Sequence, residues 1–575
     1  MERLTTSTMS YLSQLPTPWQ WLTKNRDVQF DAELDIENLG RIRGKKFTFE
    51  DERKVRAYLG VPYAKCGGFR DRFKRPFPVE SWADTRDCTQ FGPRSIQTDM
   101  LWDLFLTPIA QDEENCLHMN IFVPDSATST SSLPVMVFVH GGGYLIHSSA
   151  NYSDRQICRN LCKHDVIVCV VQYRLGLLGF LSTGTEECPG NFGLWDLRES
   201  LLWIKKHIKS FGGDGENITA FGQSAGGACI DLLTLSPECE GLLKRCILMG
   251  GNAASDWAVV KWQRTVDAAV KVAKSCGYPG DAKDHTALLE YLRQLPANKC
   301  KVAIYGKSAF DRRKKGLEMC PVIDGHFLPE PIHKLRKKAK PITSIIGTTD
   351  YEALLFVALG RSQSDLLSFE KCLKLHIPDH IVEHEELREE ARRLYLHGVD
   401  RTDKVAVAKS FMRLYSDCLM NLCTHRYVEE MSDRHKVYLY NITYCNPNSF
   451  GLFAYRSPFV GATHCQDLRF LFGKGMFAKF RPNSDDLKIL DYMTTMFTNF
   501  AKTGYPTFPI DPNYDQTIEL WKPSEPEDSY KHLDINTELR FIDNYQGRRA
   551  EFWKKLDKYR EEDELNMDSG PVELD

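Results

Sequence analysis

Between residues 218 and 228 the sequence reads ITAFGQSAGGA, in which a short strand-like run stops at Gly222-Gln223-Ser224-Ala225-Gly226. Glycines two places before and two places after a serine permit a tight strand-to-helix turn. Such a turn lifts the serine hydroxyl clear of the chain and sets a helix N-terminus beneath it. The chemistry it suits is attack on a carbonyl carbon through a covalent acyl intermediate. A second segment, Val139-His140-Gly141-Gly142-Gly143-Tyr144, follows an apolar run directly. Consecutive glycines there let backbone N–H groups converge on one small volume, which stabilises a carbonyl oxygen as it becomes negative. Gly142 and Gly143 are the expected donors, and Ala225, the residue after the serine, is the third. A phosphate loop is the competing reading, but no lysine with Ser/Thr follows these glycines at Walker spacing.

The elements that must carry these residues are legible around them. VMVFV at 135–139 and VIVCVV at 166–171 are short apolar runs, as expected of strands buried on both faces of a parallel sheet. Residues 218–221, 243–249 and 342–346 add strand candidates, and 437–444 and 539–542 add late ones. Leu197, Leu201, Ile204 and Ile208 recur at helical spacing opposite Lys205, Lys206 and Lys209, which predicts a helix over 196–210. Residues 31–44 read as an edge hairpin, and 551–559 as a terminal helix. Strand–helix alternation of this kind predicts an α/β fold, a large, mostly parallel twisted sheet flanked by helices. The charged stretches 256–317 and 363–433 read as helical insertions, because strand-like segments resume after each.

The chain has 575 residues, 42% of them hydrophobic, and 74 basic against 77 acidic side chains give a net charge of −3. That balance provides no field to gather nucleic acid, and no apolar run approaches the roughly 18 residues of a membrane span. The expected organisation is an N-terminal extension (1–30), one catalytic domain (31–560) and an acidic tail (561–575).

With these pieces in place, the chain resembles the type-B carboxylesterases, the branch of the α/β-hydrolases that includes the cholinesterases. Further motifs carry the resemblance: YLGVPYA (58–64), ENCLHMNIFVP (114–124), YRLGLLGFL (173–181), GNFGLWD (190–196), FGGDGENIT (211–219) and PVIDGHFLP (321–329). The likeness implies an α/β-hydrolase fold and a triad in the chain order serine, carboxylate, histidine. GATHCQDL (461–468), followed by RFLFG, resembles the family's histidine loop and makes His464 the base. IIGTTDYEA (345–353) aligns Glu352 with the family's acid, with Asp350 as a rival, and Ala353 stands where the family has glycine. The implied reaction is hydrolysis of a small carboxylic ester without metal or organic cofactor. Some members of the fold are non-catalytic adhesion or interaction proteins, and that alternative stays open. The resemblance is compatible with a monomer or a homodimer.

Departures from the family bear on substrate and compartment. Gln223 stands where cholinesterases carry a glutamate, so the attraction for a quaternary ammonium is lost. Leu106 stands where they place a tryptophan; Trp102 and Trp195 lie nearby in sequence and read as core aromatics. With Leu104, Phe105 and Leu106 near its rim, the gorge is expected to favour neutral esters. The resemblance would bridge Cys116 to the position of Ser95, leaving Cys88 as a substitute, and would bridge Cys276 to the position of Tyr291 or Leu292, with Cys300 a late alternative. A broken disulfide framework and the lack of an apolar leader predict a cytoplasmic protein, against which stand the sequons at Asn151 and Asn441. His376, His380 and His384 recur every fourth residue and read as a solvated helix rather than a metal site. The basic runs 312–315 and 334–340 read as solvated loops.

Overall fold

The computed structural model describes residues 27–99, 109–302, 317–360, 365–475, 480–507, 521–557 and 559. Trp102, Leu104, Phe105, Leu106, the basic run 312–315 and the acidic tail therefore lie outside the described residues. Among the described residues, no helix is long and apolar enough to cross a membrane.

Among the described residues, twelve strands make the main path of one sheet, in chain order β1 (Val28–Ile36), β2 (Gly40–Thr48), β3 (Lys54–Pro62), β4 (His118–Pro124), β5 (Leu133–Val139), β6 (Ile167–Val171), β7 (Gly213–Gln223), β8 (Arg245–Met249), β9 (Thr343–Thr349), β10 (Val437–Ile442), β11 (Lys531–Ile535) and β12 (Arg540–Asp543). Their spatial order is β1-β2-β3-β4-β6-β5-β7-β8-β9-β10-β11-β12, and the short segment Arg86–Asp87 pairs beside β2. Pairing is antiparallel from β1 to β6, parallel from β6 through β11, and antiparallel again at the last edge. The parallel strands are the apolar runs read from the sequence. β6 and β8 are buried along their whole length, as a sheet covered on both faces requires. One core lies on each side of the sheet. A third cluster fills the helical insertion after β9.

Four helices matter to the site. α1 (Phe192–His207) packs on one face and begins four residues earlier than the spacing predicts. α2 (Ala225–Leu235) follows β7 directly. α3 (Leu366–His376) belongs to the insertion, and α4 (Gln466–Phe472) follows the histidine loop. Two buried arginines act as internal ties. Arg174 bonds Asp196 of α1 through two nitrogens at 2.6 and 2.8 Å. Arg336 grips Asp231 of α2 at 2.5 and 2.6 Å. Bidentate guanidinium–carboxylate pairs of this kind are geometrically specific, and the second fixes the helix behind Ser224.

Several expectations change. The first strand starts at Val28, inside the stretch read as an extension. The terminal helix expected over 551–559 is present: it opens at Ala550–Trp553, tightens over Lys554–Leu556, and is helical again at Asp557 and Tyr559. The run 334–340 is helical over most of its length rather than a loop, and its Arg336 is buried because it has Asp231 to neutralise. His376 ends one helix and His384 begins another, so the three histidines share no helix face. Trp195 is a core aromatic, as expected, with the Arg75 guanidinium 3.7 Å over its ring. Asn441 lies buried in β10 and accepts from Gln546 at 3.1 Å, so its sequon is closed to modification in the folded chain.

All eighteen cysteines are thiols. Ser95 accepts a hydrogen bond from the Leu175 N–H at 3.1 Å instead of a bridge. Cys116 has Cys66 rather than Cys88 as its thiol neighbour. At the second expected bridge, the Tyr291 hydroxyl donates to the Cys276 carbonyl at 2.6 Å.

Candidate active site

Ser224 joins β7 to α2 in a backbone conformation of φ 59°, ψ −129°. A side chain in this region is strained and persists only where its surroundings enforce it. The enforcement is visible in the glycines. A Cβ on Gly222 would lie 2.6 Å from the Gly226 carbonyl carbon, and one on Gly226 would lie 2.1 Å from the Val139 oxygen. The Ser224 N–H is held by the Met249 carbonyl at 2.8 Å, which moors the turn to β8.

The glycine loop after β5 comes to the same place. A Cβ on Gly141 would stand 3.0 Å from Cβ of Ser224. Gly142 and Gly143 have φ of 105° and 59°, outside the range comfortable for other residues. Among the described residues, no acceptor is bonded to the N–H groups of Gly142, Gly143 or Ala225. Three donors without partners beside one half-exposed serine are an arrangement that can receive an oxyanion.

Glu352 and His464 meet although 112 residues separate them: Nδ1 of His464 donates to Oε2 of Glu352 at 2.5 Å. Both are buried, at 1% and 3% exposure. The other carboxylate oxygen of Glu352 accepts from the Thr349 N–H at 2.7 Å and the Thr349 hydroxyl at 3.1 Å. The carboxylate is therefore aimed by the end of β9. Asp350 does not reach His464. It leaves β9 two residues before Glu352, its N–H bonds the Ile442 carbonyl at 3.0 Å, and burial pushes its carboxyl up. Gly250 and Gly251, following β8, connect the two halves of the site. A Cβ on Gly250 would be 3.3 Å from Glu352 and His464, and one on Gly251 would be 2.5 Å from the Ser224 carbonyl oxygen.

Ser224 and His464 are not hydrogen-bonded to each other in this structure. Nε2 of His464 instead faces the Gln223 side chain, whose amide nitrogen lies 3.1 Å away. The Cys465 thiol donates to the Gln223 oxygen at 3.2 Å, which fixes the amide with its N–H groups toward the imidazole. With Nδ1–H given to Glu352, Nε2 carries the lone pair that could take a serine proton. Serine–histidine contacts of this type are commonly loose until substrate binds.

Electrostatics tune the histidine from opposite directions. Burial, the largest influence, disfavours the imidazolium, while Cys465 and Glu352 favour it and prevail, so the His464 pKa is raised. Burial also pushes the Cys465 thiol up, against the pull of the neighbouring His464. Asp467, buried three residues after His464, has its carboxyl pushed up to about 7 by burial and by the Glu352 charge. Sequence reasoning found neither Asp467 nor the Cys465–Gln223–His464 contacts. An apolar pocket lined by Leu355, Ala358, Phe450 and Phe453 opens against His464.

Comparison with known proteins gives the family. A family model described as the carboxylesterase family matches residues 31–553. The chain is 35% identical to esterase cest-33 of Caenorhabditis elegans, over 91% of this chain and 94% of the relative. It is 30% identical to human carboxylesterase 5A over 90% and 88%, and 29% identical to human neuroligin-2 over 90% and 67%. The chain thus belongs to the carboxylesterase family of α/β-hydrolases and is a carboxylic ester hydrolase.

Proposed function

We propose that this hydrolase acts on neutral carboxylic esters through an acyl-enzyme on Ser224. His464 removes the hydroxyl proton through Nε2 as Ser224 attacks the ester carbonyl. Glu352 holds the imidazole in the tautomer that leaves Nε2 free and stabilises the imidazolium that forms. The N–H groups of Gly142, Gly143 and Ala225 receive the oxyanion, each donor contributing about 3 kcal/mol to the transition state by analogy with other hydrolases. His464 returns its proton to the departing alcohol, and water then repeats the sequence on the acyl ester. The observation that carries this reading is the 2.5 Å Glu352–His464 contact beside the strained Ser224 turn.

A neutral residue at position 223 supports an uncharged alcohol or acyl group. No formal negative charge on that side chain attracts a cation, and the apolar pocket against His464 suits carbon. The thiol state of Cys116 and Cys276, with the closed Asn441 sequon, supports a reducing, cytoplasmic setting. The test is labelling with a fluorophosphonate, followed by a panel of neutral and cationic esters. Wild type should label and Ser224→Ala should not; labelling that persists in Ser224→Ala refutes the nucleophile. Equal efficiency on acetylthiocholine and neutral aryl esters refutes the substrate class.

A further inference from the structure

α3 carries Cys372 and His376 four residues apart, hence on one face of the helix. Facing them is Cys418, from the wide π-type turn Asp417–Asn421 that interrupts the helices of the insertion. Such turns are uncommon and often mark functional sites. The two thiols and the imidazole present their ligand atoms within 4.8 Å of one another. Both cysteines are nearly buried, at 8% and 9% exposure, and their thiols are hydrogen-bonded to each other. The cluster borders a cavity of about 80 Å³ whose wall also carries His380 and Asp256.

We infer that Cys372, His376 and Cys418 form a binding site for one soft metal ion, of the Zn²⁺ or Cu⁺ type, in the helical insertion. The donor set is the argument. Thiolate and imidazole select these ions over Mg²⁺ and Ca²⁺, which demand oxygen. Zinc–sulfur bonds of about 2.3 Å place two ligating sulfurs roughly 3.8 Å apart, so side-chain movement of about 1 Å closes the cluster around an ion. The fourth position opens on the cavity, toward His380, Asp256 or a water. Binding displaces both thiol protons, so affinity rises with pH. The ion would brace α3 against the π-type turn and plays no part in ester hydrolysis.

The test uses full-length, reduced protein titrated with Cd²⁺ as the spectroscopic probe. The expected result is a thiolate-to-metal charge-transfer band that saturates at one ion per chain. Cys372→Ser and Cys418→Ser should each lose it, and His376→Ala should weaken binding by about tenfold or more. If the serine variants do not fold, X-ray absorption on wild type loaded with one Zn²⁺ should show two sulfurs and at least one imidazole. A first shell without sulfur overturns the assignment. So does a band that survives both serine substitutions, which would move the metal to another thiol pair such as Cys66 with Cys116. A Cys372–Cys418 disulfide in protein purified under air that does not bind Cd²⁺ after reduction also overturns it.

Discussion

The Gln223 amide nitrogen lies 3.1 Å from Nε2 and 3.3 Å from Nδ1 of His464, across 241 residues of chain. The residue beside the nucleophile thus touches the proposed base directly, and a charge placed at that position would act on catalysis as well as on substrate choice. The His464 pKa is raised, and only the neutral ring can accept the serine proton. The acidic limb of kcat/KM in wild type should therefore lie above the ordinary histidine value of about 6.5. Gln223→Glu adds a carboxylate against the imidazolium and should move that limb further up by about one pH unit or more. It should also improve the ratio of cationic to neutral ester hydrolysis. A pH–rate profile unchanged by the substitution would contradict the contact.

The Glu352 and Asp350 carboxylates are only two residues apart but differ in reach. Glu352→Gln removes the acceptor that fixes the His464 tautomer, and kcat should fall by about 10⁴. Asp350→Asn should retain activity within a few-fold, because Asp350 makes no bond to the imidazole. Steady-state kinetics on one aryl ester separates the two, and the reverse ranking would reassign the acid.

Burial and the Glu352 charge push the Asp467 carboxyl up to about 7. Its folded pKa of about 7 exceeds the ordinary aspartate value near 3.9, so the folded state keeps a proton that the unfolded chain has lost. The stability tied to that proton is complete below about pH 4 and disappears as pH rises through about 7. Asp467→Asn should flatten the dependence of unfolding free energy on pH across that window, as read by urea titration. It should also lower the acidic limb of kcat/KM, since one negative charge near His464 is gone at high pH.

Gly142 is both an expected donor and a steric necessity. A Cβ there would meet the Ile146 carbonyl oxygen at 2.2 Å, in a residue whose φ is 105°. Gly142→Ala should displace the loop and cost 10²- to 10³-fold in kcat, about 3 to 4 kcal/mol, with a smaller change in KM. A KM effect alone would mean that the loop binds substrate without serving the oxyanion.

What the sequence disclosed depended on how local each signal is. Ser224, its glycines and the Gly142–Gly143 pair sit in contiguous motifs whose small residues state their own steric reason. His464 and Glu352 come from loops without periodicity, and resemblance to a family supplied them. Three strands, β3, β4 and β11, escaped the pattern reading for chemical reasons, and β11 is a short KHLDI run in which Lys531, His532 and Asp534 mask any apolar pattern. β4 contains the buried polar residues His118 and Asn120, held by Pro93 O at Nε2 of His118 and by Ser149 O and the Gly60 N–H at the Asn120 amide. β3 has its register shifted between Tyr58 and Val61, which breaks alternation. Arg336 looked like one member of a solvated charge run, since nothing near it in sequence reveals Asp231, 105 residues away. The partners of Gln223 were hidden for the same reason.

The Ser224 turn has a thermodynamic consequence for the whole molecule. A positive φ of 59° with ψ of −129° is a conformation glycine adopts at little cost and serine resists. The fold therefore carries its nucleophile as a standing debit against its own melting temperature. Ser224→Gly, inactive as an esterase, should unfold at a higher temperature than wild type in a calorimetric scan, and a lower unfolding temperature would contradict the strain. Selection for activity at this position is then selection against stability, and compensating mutations are expected elsewhere in the domain.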